Sequence, residues 1–156
     1  LLVSAITHNK DEVRITLEGV PDEPGVAAKI FTELAEKSIA VDMIIQNTKA
    51  GEDTDLTFTV SMEDFEQTFE TGKKIAKRIK ARNIFHDKNI AKVSVVGIGM
   101  KENFGVAAQM FNALAKESIN ILLISTSEIR ISCIIEEKYT ELAVRILHSA
   151  FGLDKE

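Results

Sequence analysis

The chain has 156 residues, 45% of them apolar and 28% charged, a globular composition that excludes disorder along its length. Its formal net charge of −5 is spread over intermixed acids and bases, so no basic stripe is available to a nucleic-acid backbone. No apolar run approaches the roughly 20 residues that a membrane span needs, and no charged leader opens the chain.

The single cysteine, Cys133, has no internal disulfide partner. With no CxxC or Cys/His cluster to hold a structural metal, this pattern points to the cytoplasm. Leu1 is not a methionine and already lies in a β-like run, so a segment upstream is expected.

In chain order, the first clear element is a strand in which Val13, Ile15 and Leu17 alternate with polar residues. The loop Val20-Pro-Asp-Glu-Pro-Gly25 ends it, because proline and glycine fix and free the backbone in turn. A helix follows with Val26, Ile30, Phe31 and Leu34 at helical spacing, and Ala27, Ala28 and Ala35 permit close packing. Then come a strand-like run from Val41 to Asn47, a turn at Ala50-Gly-Glu-Asp53, and a strand with Leu56, Phe58 and Val60 inward. Asp64 is the expected N-cap of a second helix carrying Phe65, Phe69, Ile75, Ala76 and Ile79. The run from Arg82 to Asp87 closes the unit as a short strand, giving the order βαββαβ.

The same unit occurs twice. At a shift of about 80 residues, Val13 to Gly19 matches Val93 to Gly99, Gly25-Val-Ala-Ala matches Gly105-Val-Ala-Ala, and Ser38-Ile39 matches Ser118-Ile119, with no gap. Strands are expected near 92–98, 119–127 and 129–135, the last alternating through Ile129, Ile131, Cys133 and Ile135. A helix is expected around Tyr139, Leu142, Ala143, Ile146 and Leu147. The second copy then lacks a closing strand. The fold class expected is α+β with modules at 10–88 and 89–152. Ile6-Thr-His-Asn-Lys10 is similar to Ile84-Phe-His-Asp-Lys88, so an N-terminal strand at 2–8 is expected to complete the second module, the alternative being a simple extra strand.

Catalytic motifs do not emerge from these residues. Gly97-Ile-Gly99 lacks the third glycine of a dinucleotide fingerprint, and no phosphate-loop spacing occurs. Cys133 sits in an apolar alternating strand, where a packed thiol is expected, and the scattered His8, His86 and His148 read as surface residues. Glu136-Glu137 suits a helix start. The remaining feature is the loop that ends in Gly-Val-Ala-Ala: it is either a tight turn or a helix N-terminus open to the carboxylate of a small ligand.

Val20 to Phe31, Val41-Asp-Met-Ile-Ile-Gln-Asn47 and Ile121 to Ser132 resemble the C-terminal regulatory region of bacterial aspartate kinases. The resemblance covers nearly the whole chain, and Ile124-Ser-Thr-Ser-Glu-Ile-Arg130 is its most specific stretch. It implies two ferredoxin-like ACT modules whose antiparallel sheets carry helices on one face. Such regions pair as homodimers and sense L-threonine, L-lysine or both as feedback effectors. The effector contacts implied by position are Asp22, Gly25, Val26, Ala27 and Gln46, with Asn120 and Ile121 from the partner; a lysine-type site adds Ser127 and Glu128. Lys49 stands where relatives often carry serine, and its charge would oppose a lysine ligand.

No catalytic residue and no cofactor is implied for this chain. Phosphorylation of aspartate, with ATP and Mg²⁺, belongs to the kinase domain or subunit that would be its partner. The alternative within the same fold is a free-standing ACT sensor or dimerisation module. An acylphosphatase-like enzyme would need an arginine in the first strand-to-helix loop, and Pro21 to Gly25 has none.

Overall fold

Strand alternation and helical periodicity resolve into two units, each a four-stranded antiparallel sheet with two helices. The structure, a computed structural model, describes residues 2–48, 53–100, 103 and 105–154. Lys49 and most of the turn expected at Ala50 to Asp53 lie outside the described residues.

The elements run β1 (Val3–Asn9), β2 (Val13–Pro21), α1 (Val26–Glu36), β3 (Ile44–Thr48), β4 (Asp53–Val60), α2 (Phe65–Ile79), β5 (Asn83–Asp87), β6 (Ile90–Gly97), α3 (Gly105–Lys116), β7 (Leu123–Thr126), β8 (Arg130–Glu136) and α4 (Thr140–Ala150). The first unit, residues 11–88, contains the sheet β3-β4-β2-β5. The second unit takes the described residues of 1–10 and 89–156 and contains the sheet β1-β6-β8-β7. Thus β1 pairs along β6, with Ile6 opposite Val95 and His8 opposite Val93.

In the first unit Val13, Ile15, Leu17, Leu56, Phe58 and Val60 bury one sheet face under Val26, Ile30 and Leu34 of α1 and Ile75 and Ala76 of α2. Phe31 meets Phe58 edge-on, with ring centroids 5.5 Å apart. In the second unit Val93, Val95, Ile131, Cys133 and Ile135 pack against Met110 and Leu114 of α3 and Ala143 and Leu147 of α4. Burial of these side chains is the main stabilising term in both units.

The repeated Ser-Ile pair has a physical role that periodicity did not reveal. Ser38 and Ser118 take positive φ angles of 59° and 55° just past the ends of α1 and α3. The next amides return to the helices, Ile39 N–H to the Leu34 carbonyl at 3.1 Å and Ile119 N–H to the Leu114 carbonyl at 3.0 Å. This bonding closes each helix C-terminus and drives Ile39 and Ile119 into the core.

Several expected boundaries shift. The regular ladder of β3 starts at Ile44 rather than Val41. Before it, Asp42 N–H bonds the Thr59 carbonyl and Met43 N–H bonds the Thr59 hydroxyl, each at 3.0 Å. The hydroxyl takes a donor that a plain ladder would use. β7 starts at Leu123 rather than 119, because Ile119 belongs to the helix cap. Ile129 falls outside β8 and is exposed, and β2 continues to Pro21 beyond the expected loop start. Asp64 has helical angles and no side-chain cap bond; Ser61 is the extended residue, and a 3₁₀ turn at Met62–Asp64 leads into α2.

The ungapped match at the opening strands also slips. Ile15 lies between Phe58 and His86, whereas Val93 lies between Cys133 and His8, and Phe58 and Cys133 pair in turn with Ile44 and Ile124. Ile15 is therefore the structural counterpart of Val93, and Val13 is not. A slip of one strand period keeps the same side chains inward, so the apolar pattern does not detect it. The stretch from Val93 to Gly105 is correspondingly longer than that from Ile15 to Gly25.

One buried pair makes the packing testable. The hydroxyls of Ser94 and Ser132, both buried, lie 2.7 Å apart on neighbouring strands. Ser94→Ala leaves Ser132 without this partner and should destabilise the chain by about 1 to 3 kcal/mol, whereas Ser94→Ala with Ser132→Ala should recover most of that loss in urea unfolding.

Candidate functional site

The β2-to-α1 connection is shaped by a bulge and a left-handed turn. The β2–β4 register shifts between Leu17 and Val20, and Gly19 there has φ 69°. Its N–H donates to Asp55 Oδ1 at 3.1 Å, and a side chain at this position would collide with Arg82 Cβ at 2.8 Å. Arg82 in turn donates to Asp53 at 2.9 Å and to Glu18 at 3.4 Å, tying the bulge to β4. Gly25 has φ 90°, and nothing lies within 4 Å of where a Cβ would stand. The backbone angle, not crowding, is what calls for glycine there.

Helix α1 starts one residue later with no side-chain cap bond and no acidic residue in its first turn. Its first regular bond is Lys29 N–H to the Gly25 carbonyl at 3.0 Å, and Val26 N–H reaches the Glu23 carbonyl only at 3.4 Å. The partial positive charge of this terminus is thus left uncompensated by the helix's own side chains. Beside it is a cavity of about 100 Å³ whose lining includes Asp22, Gly25, Val26, Ala27 and Gln46. These are the five positions singled out in the first module.

Val20, Pro21, Glu23, Thr54 and Leu56 are the other described residues of the lining and were not singled out as site residues from sequence. Thr54 is the informative omission. It is buried, its hydroxyl donates to Thr48 Oγ1 at 3.3 Å, and it lies opposite Val20 just beyond the bulge. The alternation of β4 gave it no distinguishing mark.

The remaining named residues lie in the second unit. Asn120 and Ile121 precede β7, while Ser127 and Glu128 follow it, so the structure sets these two pairs at opposite ends of one strand. The Ser127 hydroxyl accepts the Ile129 N–H at 3.4 Å, and the Glu128 carbonyl accepts the Met100 N–H at 3.1 Å. The repeated loop has a different helix start: Asn103 Oδ1 accepts the Gly105 N–H at 3.2 Å, a side-chain bond that α1 lacks.

The arrangement around α1 can hold a small zwitterion. Free helix N–H groups suit a carboxylate, Asp22 and Glu23 suit an ammonium, the Gln46 amide can donate or accept, and Val20 and Leu56 supply apolar wall. No group of three or more His, Cys, Asp or Glu side chains capable of holding a metal occurs among the described residues. Cys133 is buried in the core, and burial pushes its thiol up to about 12, so it stays protonated near neutral pH. No helix among the described residues is long and apolar enough to cross a membrane.

Known proteins place this geometry in a family. The ACT domain model matches residues 13–71 and 93–151. The aspartokinase of Pseudomonas aeruginosa is 54% identical over 153 residues, covering 98% of this chain and 37% of that protein. The aspartokinase of Helicobacter pylori is 49% identical, with 99% of this chain and 38% of that protein covered. The chain therefore spans little more than a third of the length of these relatives.

Two solved structures match over nearly their whole length. The ligand-free regulatory subunit of aspartate kinase from Thermus thermophilus is 40% identical, with a TM-score of 0.92 over 97% of this chain and 99% of that one. A structure of aspartokinase alpha and beta subunits is 49% identical, with a TM-score of 0.89 over 96% of this chain and 99% of that one. The chain belongs to the ACT-domain family, as the paired-ACT regulatory region of an aspartate kinase.

Proposed function

We propose that this regulatory region is a feedback sensor that binds free L-threonine, L-lysine or both and passes the signal to an aspartate kinase catalytic domain or subunit. The observation that carries the reading is the uncapped N-terminus of α1, open to a cavity shared by Asp22, Gly25, Ala27 and Gln46. The effector carboxylate takes the helix N–H groups, and its ammonium is met by Asp22 and the Gln46 carbonyl oxygen. At about 100 Å³ the cavity is well below the roughly 300 to 1,000 Å³ of sites for drug-sized ligands, which favours an amino acid with a short side chain.

In this reading the site is completed in a homodimer by Asn120 and Ile121 of a second copy. Asn120 is exposed on its own chain, so its amide is available to a ligand. A lysine side chain, with a second ammonium, would in addition engage Glu128 and Ser127. The kinase reaction, with ATP and Mg²⁺, is assigned to that catalytic domain or subunit. Effector binding then regulates by favouring one arrangement of the subunits over another, and can shift that balance only by its difference in affinity for the two.

Isothermal titration of the folded chain with L-threonine and with L-lysine tests the proposal; absence of heat with both amino acids would reject it. Asn120→Ala should weaken threonine binding by about 1 to 3 kcal/mol, the cost of a desolvated partner left unpaired, while leaving the unfolding midpoint unchanged. An unaltered affinity would remove Asn120 from the site. Gly25→Ala should lower both stability and affinity, because alanine is strained at φ 90° and its relief tilts the helix start away from the ligand.

A further inference from the structure

The repeat supplies an internal control for a second cavity that the proposed function does not use. One row across the first sheet reads Ile44, Phe58, Ile15, His86, and the matching row of the second reads Ile124, Cys133, Val93, His8. Helices α2 and α4 both begin directly after a 3₁₀ turn that follows the preceding strand. Their buried positions coincide from that start, Phe65, Thr68 and Gly72 in α2 against Thr140, Ala143 and Leu147 in α4. Phe65 is therefore answered by Thr140, and Phe69 by Val144.

In the first unit the His86 ring meets Phe65 edge-on at 4.7 Å and Phe69 at 4.9 Å, and the two phenylalanines stack at 5.5 Å. In the second unit neither helix position carries a ring, and a cavity of about 310 Å³ lies beside His8, with Thr140 and Val144 in its wall. Arg145, His148 and Glu141 also line it. Among the described residues, neither Arg145 nor Glu141 forms an ion pair. Asp154, also at this cavity, is occupied by the Ser149 hydroxyl at 2.8 Å.

We infer that this cavity binds a small molecule in which an aromatic ring is carried next to a carboxylate. The ring takes the place that Phe65 and Phe69 fill in the other unit and packs against the His8 imidazole as they pack against His86. Arg145, with its planar fork of donors, and His148 receive the carboxylate. The volume is at the lower end of the roughly 300 to 1,000 Å³ typical of small-molecule sites. Two sources share this chemistry: a free aromatic amino acid, whose ammonium would face Glu141, and an aryl carboxylic acid without an amine. This cavity is independent of the proposed effector site around α1, since every described residue of its lining belongs to the other unit.

The test titrates the folded chain with L-phenylalanine and with 3-phenylpropionate while following the ring signals of His8 and His148 by NMR. Saturable shifts of both rings are expected with at least one of the two. Val144→Phe, which installs the ring found at Phe69, should weaken binding by about tenfold or more by occupying the space. Arg145→Gln, an exposed substitution that spares the core, should weaken it by about tenfold through loss of the charged fork. Thermal melts establish that both variants are folded. If the ligand is an amino acid, Glu141→Gln lowers affinity for L-phenylalanine alone; affinity for both probes unchanged by Glu141→Gln assigns the site to aryl carboxylates. No saturable shift with either probe, or full affinity in either Val144→Phe or Arg145→Gln, overturns the inference.

Discussion

At Gly25 the chain takes a φ of 90° and starts a helix one residue later, so that the amides of its first turn are neither bonded within the helix nor covered by a capping side chain. A serine or aspartate in that place would have closed the terminus on itself. The glycine leaves it open, and the bulge at Gly19, held by Asp55 and Arg82, sets where β2 delivers the turn. The candidate effector site follows from this one backbone arrangement: a positive helix end, two carboxylates beside it, and an amide reaching in from β3.

The second copy of the fold shows how much of the chemistry lies outside the fold itself. Both units bury equivalent rows of apolar side chains and close α1 and α3 with the same Ser-Ile device. They differ where polar or aromatic residues meet the helix ends. Asn103 bonds the start of α3, whereas the start of α1 has no such bond. Phe65 and Phe69 fill the space beside His86, whereas Thr140 and Val144 leave space beside His8. The two copies thus share a core pattern and differ at these surfaces. Regulation by ligand binding needs no reactive group, only a difference in affinity between two arrangements of the protein.

Histidines show the limit of reading one residue at a time. His8, His86 and His148 are scattered in sequence and read as surface positions, and His8 and His86 are exposed in the fold, yet that reading misses what they touch. His86 packs on two phenylalanine rings, and His8 and His148 come together at one cavity only because β1 and α4 do. Likewise Thr54 looked like any strand residue until the bulge opposite it made it part of the cavity beside α1.

The sequence by itself determined the duplicated βαββαβ order, the inward faces of the strands and helices, and the glycine turn with Asp22, Val26 and Ala27 around it, because these depend on local periodicity and local backbone angles. It also carried the stretch from Ile124 to Arg130, which resembles the regulatory region of aspartate kinases. Tertiary structure alone decided the register that pairs Ile15 rather than Val13 with the counterpart of Val93's neighbours, since a slip of one strand period leaves the apolar pattern unchanged. It alone placed Thr54 beside the α1 terminus, where Gln46 was expected only through the family resemblance, and Arg145 beside His8, because cavities are made by residues whose separation along the chain says nothing of their distance in space.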